Sequence, residues 1–119
     1  MSFFINEDET IKIYFDKKGH ITEKETENWF EVKKDINYVL LNEIKNAIKP
    51  KTMKMNATTN EIELDTTKMG EVPLNLLLKI IVNWSEETKL DLNILRTKLH
   101  SKIIEQLWAK ILEIYDIGV

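Results

Sequence analysis

The chain has 119 residues and a net charge of −3 at pH 7, with 31% charged and 43% hydrophobic residues. These values fit one folded domain with its own core, and they argue against a disordered chain. The absence of cysteine excludes disulfides, thiolate nucleophiles and cysteine-based metal sites within this chain. Lysines and acids are interspersed, so a concentrated basic face for nucleic acid is not expected.

The first third of the chain predicts strands. Apolar and polar residues alternate over Ile11–Phe15, and Asp16–Gly19 supplies a turn. A weaker strand is expected at His20–Thr22, and the charged run Glu23–Glu27 is expected to be a solvated loop. Aromatic and β-branched residues favour another strand over Trp29–Lys33. The opening MSFFINEDET has too short an apolar run for a secretory signal peptide, so we expect a cytosolic protein.

The middle of the chain predicts one helix and a hairpin. Asp35 is expected to cap a helix that runs to Ile48, because Pro50 disfavours helical backbone just before it. Alternating apolar residues within Pro50–Asp65 are compatible with a hairpin. The polar segment Asp65–Val72 is expected to be a mobile connector.

Residues Pro73–Trp84, PLNLLLKIIVNW, carry the most distinctive pattern in the sequence. Only Asn75, Lys79 and Asn83 interrupt the apolar residues, and their spacing of four predicts one narrow polar line along a helix. Such a helix must be buried in the core or against a partner. It is too short for the roughly 20 apolar residues that span a bilayer, so no membrane partner is expected.

Two further helices are predicted towards the end of the chain. Asp91 or Asn93 can cap a short helix to Leu99, and Ser101 can cap a final amphipathic helix to about Tyr115. The prediction is therefore an α+β domain over 1–119, with a small N-terminal antiparallel sheet followed by a C-terminal bundle of three to four helices. The strand-rich part, which includes one helix, spans 1–65, and the helical part spans 73–117.

No residue set in the sequence identifies a reaction. His20 and His100 lack a second histidine or a carboxylate at metal-ligand spacing, so surface or capping roles are expected. Gly19, Gly70 and Gly118 are too far apart to form a phosphate-binding loop. We therefore predict a protein without catalytic residues, metal or cofactor.

The large apolar side chains of the C-terminal part are the candidates for partner binding. Trp84 and Trp108 each fit either a core position or an aromatic anchor at an interface. The predicted partner-binding residues are Trp84, Leu107, Trp108, Ile111 and Tyr115.

Three traits of the sequence resemble the tail assembly chaperone-like proteins of long-tailed phages and prophages. They are the WFEVK segment Trp29–Lys33, the apolar segment Leu76–Leu92 with its single tryptophan and polar break, and the final amphipathic stretch Leu95–Tyr115. The resemblance implies a non-enzymatic protein in the bacterial cytoplasm that binds the hydrophobic, helical tape measure protein or another tail protein. A homo-oligomer is also possible.

One departure from the family pattern leaves a second interpretation open. The polar break Ser85–Asp91 has neither glycine nor proline, whereas many such proteins have a turn rich in both. The alternative is a structural subunit of the virion, such as a tail-completion or head–tail connector protein.

Overall fold

A four-stranded antiparallel sheet and helices form the fold of the computed structural model, which describes residues 3–48, 53–55, 62–64 and 72–117. The prediction of a mixed α+β chain is confirmed. No helix in these ranges is both long and apolar enough to cross a membrane. In chain order the elements are β1 (Thr10–Phe15), β2 (Ile21–Thr22), β3 (Asn28–Lys33), α1 (Tyr38–Ile48), β4 (Met53–Met55), β5 (Ile62–Leu64), α2 (Leu74–Ile80), β6 (Ile81–Trp84), α3 (Leu92–Thr97) and α4 (Ser101–Ile114).

The sheet has the strand order β2-β1-β3-β6, and all neighbours are antiparallel. Strands β1 and β3 pair along their whole length, from Thr10 opposite Lys33 to Phe15 opposite Asn28. Because side chains alternate between the two faces of a strand, the apolar residues of both strands reach the same face. On that face the side chains of Ile13, Phe15, Phe30 and Val32 are buried.

The predicted helix over Pro73–Trp84 is wrong in its second half. Helix α2 ends at Ile80, and the next residues form β6, which pairs with β3 at the edge of the sheet. The run Ile80-Ile81-Val82 is β-branched and therefore fits a strand better than a helix. The sheet thus takes one strand from the part of the chain that was predicted to be helical, so the predicted separation of sheet and helices holds only in part.

One hydrophobic core joins the inner face of the sheet to the four helices of the described ranges. Seven of its side chains are almost completely inaccessible, and they come from β3 and from every one of those helices. Truncation of such a residue to alanine costs about 2–5 kcal/mol, because a cavity is left behind. These seven residues are Val32, Ile44, Leu77, Ile80, Leu95, Leu107 and Ile111.

Helix α1 begins at Tyr38, two residues later than the predicted cap implies. The side-chain oxygen of Asn37 accepts a hydrogen bond of 2.8 Å from the backbone N–H of Leu40, which is the geometry of an N-cap. Asn37 therefore caps α1, and the prediction of Asp35 is wrong. The predicted last residue, Ile48, is also the last residue of α1 in the structure.

The two C-terminal helices begin close to the predicted positions. The carboxylate of Asp91 accepts a hydrogen bond of 2.8 Å from the N–H of Ile94, so Asp91 is the cap of α3 among the two predicted residues. Helix α3 ends at Thr97, two residues before the predicted end at Leu99. Helix α4 begins at Ser101 itself, and His100 occupies the N-cap position without a side-chain hydrogen bond. The prediction that Ser101 caps α4 is therefore wrong by one residue.

Strands β4 and β5 pair antiparallel, with Met53 opposite Leu64, as the alternation of apolar residues predicts. This hairpin forms a two-stranded sheet of its own. Of the predicted connector Asp65–Val72, residues 65–71 lie outside the described residues.

Candidate binding cleft

Three of the five predicted partner-binding residues lie inside the core. Leu107 and Ile111 are fully inaccessible and Trp108 is 6% exposed, all on the inner face of α4. This placement favours the core alternative for Trp108. A partner could touch these side chains only if α4 separated from the rest of the core.

The fourth predicted residue, Tyr115, follows α4 and joins the end of that helix to the sheet. Its hydroxyl donates a hydrogen bond to the backbone carbonyl of Lys33, at the end of β3. Burial raises the pKa of the Tyr115 hydroxyl well above its ordinary value, and the negative charge of Asp35 acts in the same direction. The geometry gives Tyr115 a structural role at the C-terminus of α4.

Trp84, the fifth predicted residue, is only partly buried and belongs to a row of aromatic rings that crosses three strands. Its ring lies 5.8 Å from that of Phe30, and the Phe30 ring lies 5.8 Å from that of Phe15 in an edge-on arrangement. The indole N–H of Trp84 donates a hydrogen bond of 2.7 Å to the carbonyl of Thr88, which holds the following loop against the ring. These contacts fix the orientation of the Trp84 side chain.

The aromatic row forms the floor of a cleft of about 820 Å³. One side is made by the ends of β1 and β6 and the start of β3, and the other by the end of α3 and the start of α4. Its surface combines apolar side chains with several lysines. The apolar surface includes Phe15, Phe30, Trp84, Ile94, Leu99 and Ile103, and the lysines around it are Lys17, Lys18, Lys98 and Lys102.

The turn between β1 and β2 forms one edge of the cleft. The Asp16 carboxylate accepts hydrogen bonds of 2.9 Å from the backbone N–H groups of both His20 and Lys18. These bonds, that from His20 first, lower the pKa of Asp16. Gly19 adopts a φ of +80°, which a side chain would disfavour. The turn therefore has a defined shape and holds Lys17 and Lys18 at the rim.

Helix α4 holds this turn in place through two side chains of its first turns. The side-chain amide N–H of Gln106 donates to the carbonyl oxygen of Gly19 at 2.7 Å. Ile103 packs so closely that a Cβ atom on Gly19 would lie 3.2 Å from its Cδ1 atom. The two walls of the cleft are thus connected directly.

The cleft is rich in positive charge although the chain is acidic. Lys17, Lys18, Lys98 and Lys102 line it, against the carboxylates of Asp16 and Glu86. The ion pairs within the described ranges join Lys34 to Glu9, Lys79 to Glu43 and Lys110 to Glu113, so none of them neutralises a cleft lysine. All four lysine side chains are exposed, and the amine of Lys102 contacts His20 Nε2 and the carbonyl oxygen of Lys18.

Exposed large apolar side chains are also found outside the cleft. Tyr38 and Val39, at the start of α1, are 74% and 66% exposed, and Val82 on β6 is 53% exposed. Phe3 and Phe4, which precede β1, are 95% and 89% exposed. The exposed start of α1 is one competing candidate for a protein contact.

The two histidines do not belong to a cluster of metal ligands. Across the described ranges, no three histidine, aspartate or glutamate side chains converge on one point. His20 Nε2 lies 3.2 Å from the amine of Lys102, and His100 lines the cleft at the N-cap position of α4.

No protein-family model matches the chain, and no curated protein or solved structure is significantly similar to it. The likeness to tail assembly chaperones therefore rests on the three sequence traits alone.

Proposed function

We propose that this chain is a non-enzymatic protein-binding module that receives a helical segment of a partner in the cleft. The observation that carries the proposal is the partly exposed apolar surface of the cleft, because Trp84, Ile94, Leu99 and Ile103 together suit the apolar face of a helix. Packing of an amphipathic helix into such a groove is a common mode of peptide recognition.

The cleft is open to solvent and has a volume of about 820 Å³. A helix lying in it would insert the side chains of one face, which recur every turn, about 5.4 Å along the helix axis.

The resemblance makes the proposal more specific. The partner would be the tape measure protein of a long-tailed phage or prophage, kept soluble in the host cytoplasm during tail assembly. Several copies of the chain along one tape would gain avidity from multivalent binding. The contact surface in this proposal is the cleft with Trp84, and the buried residues of α4 support it from inside.

The test is binding to the tape measure protein encoded in the same genome, produced as overlapping fragments. We expect the double variant Ile94→Gln, Leu99→Gln to weaken binding at least about tenfold, which corresponds to about 1.4 kcal/mol. Arg96→Gln is the matched control, because Arg96 is exposed on the same helix and does not line the cleft. Unchanged binding by the folded double variant would contradict the proposal.

The competing apolar region provides a second arm of the experiment. Tyr38→Glu with Val39→Glu adds negative charge to the exposed start of α1. Asn46→Glu is the control, because it adds a negative charge at an exposed position near the end of the same helix. Loss of binding in the first variant alone would place the contact at the start of α1. Recovery of the protein from purified virions would favour the virion subunit over the chaperone.

A further inference from the structure

We propose that the segment bound in the cleft is acidic, with carboxylates flanking its apolar stripe. This inference rests on the proposed function and adds the chemistry of the partner. The evidence for an acidic segment is the positive charge around the apolar surface, which is opposite in sign to the net charge of the chain.

The positive groups stand on both sides of the apolar surface. Lys17 and Lys18 extend from the β1–β2 turn, Lys98 follows α3, and Lys102 lies in the first turn of α4. The amine of Lys102 is 3.5 Å from the carbonyl of Lys18, which brings the two walls together at one point. A helix in the cleft would therefore meet lysines from both walls.

The two carboxylates of the cleft, Asp16 and Glu86, offset only part of the charge of its four lysines. Hydrogen bonds within its own turn favour the ionised form of Asp16, and the Asp16 carboxylate attracts the neighbouring Lys18. Glu86 is exposed in the loop after β6. Helix α4 also has no acidic residue in its first turn, and its positive dipole end faces the same region. The potential in the cleft therefore favours an anionic partner.

The character of the lysines favours a peptide over a small anion. All four lysines are exposed, and the lining contains no arginine that could hold one carboxylate or phosphate in a bidentate geometry. Dispersed, solvated ammonium groups interact best with several carboxylates spaced along a chain. The apolar floor then contacts the apolar side chains that lie between those carboxylates.

The aromatic rings favour a peptide over a single-stranded nucleic acid. Base stacking needs open ring faces. One face of Trp29 is covered by the amine of Lys12, 4.3 Å from the ring centre. Trp84 is packed against Phe30.

The experiment uses two labelled peptides of about 20 residues, long enough to form a helix. Both carry the same leucine stripe, flanked by glutamate in one and by lysine in the other. In fluorescence anisotropy at low salt we expect the glutamate peptide to bind at least about tenfold more tightly. The ratio of the two dissociation constants should approach one near 0.5 M NaCl, where charges are screened within roughly 4–5 Å.

A charge-reversal variant shows whether the cleft is responsible. Lys98→Glu with Lys102→Glu should remove or invert the preference for the glutamate peptide. Lys34→Glu with Lys45→Glu changes the net charge equally, and neither residue lines the cleft. This control should keep the preference, and circular dichroism verifies that both variants are folded.

Each other outcome overturns a defined part of the account. Equal, salt-independent binding of both peptides rejects an acidic partner and leaves the proposed cleft binding intact. Binding that neither the Lys98/Lys102 variant nor the Ile94/Leu99 variant changes rejects the cleft itself. Failure of both peptides to bind at about 1 mM, or tighter binding of an oligo-thymidine strand, rejects the acidic helical occupant.

Discussion

The side chain of Gln106 on α4 is hydrogen-bonded to the backbone of the β1–β2 turn, with its amide N–H 2.7 Å from the carbonyl oxygen of Gly19. The amide oxygen of Gln106 also accepts from the backbone N–H of Ile21 at 3.4 Å. One side chain thus satisfies a donor and an acceptor of the turn that carries Lys17 and Lys18. The shape of the cleft depends on this connection between its two walls.

Removal of the Gln106 amide should destabilise the fold. In Gln106→Ala the backbone groups of Gly19 and Ile21 lose their partner, and we expect a loss of about 1–2 kcal/mol in the free energy of unfolding. Urea denaturation measures this difference. Glu105→Ala, at the neighbouring exposed position, should change the free energy by less than about 0.5 kcal/mol. Equal midpoints for the two variants would contradict the structural role of Gln106.

Gly19→Ala tests the close packing of the same turn. The φ of +80° disfavours a side chain, and the new Cβ atom would press on Ile103 at 3.2 Å. We expect a loss of at least about 1 kcal/mol, measured by urea denaturation. Lys18→Ala, in the same turn but exposed, is the control. A stability equal to that of the wild type would show that the turn can relax away from α4.

Trp108→Ala should lower the free energy of unfolding and should weaken binding only as a consequence of that loss. Trp108 is 6% exposed and lies in the core, so we expect a loss of about 3–5 kcal/mol, measured by thermal or urea denaturation. Any loss of partner binding should therefore accompany unfolding. A Trp108→Ala protein that stays as stable as the wild type but no longer binds would restore the predicted partner face on α4.

The burial of the Tyr115 hydroxyl predicts that the folded protein loses stability in alkaline solution. Because burial raises the pKa of the folded Tyr115, the unfolded chain releases this proton first as the pH rises. Tyr115 therefore contributes its full stabilisation below about pH 10 and loses it progressively above that pH. In urea titrations at several pH values, Tyr115→Phe should show a shallower decline above pH 10, whereas Tyr38→Phe, at an exposed position, should decline as the wild type does. Identical slopes for Tyr115→Phe and the wild type would contradict the burial of the hydroxyl.

The sequence predicts most elements of the fold because their signals are local. The alternation over Ile11–Phe15 and the cap at Asp91 need only neighbouring residues. The segment Ile81–Trp84 is different, since helix and strand templates both accept a short apolar run. Its pairing with β3, more than 45 residues earlier in the chain, selects the strand.

The candidate site is harder to predict from the sequence because its residues come from distant segments. Lys18 and Lys102 are 84 positions apart, and nothing in the spacing of lysines indicates that they meet. The amphipathic pattern of α4 identifies Trp108 as important but does not distinguish a core from an interface. Only the position of the sheet against α4 makes that distinction.

The most direct test of the account is to map the bound surface by backbone and indole NMR shifts during titration with a tape measure fragment. If the fragment binds in the cleft, the largest shift changes occur at Ile94, Leu99 and the indole N–H of Trp84, and the signals of Tyr38 and Val39 stay unchanged. Changes confined to Tyr38 and Val39, with the Trp84 indole signal in place, would contradict binding in the cleft.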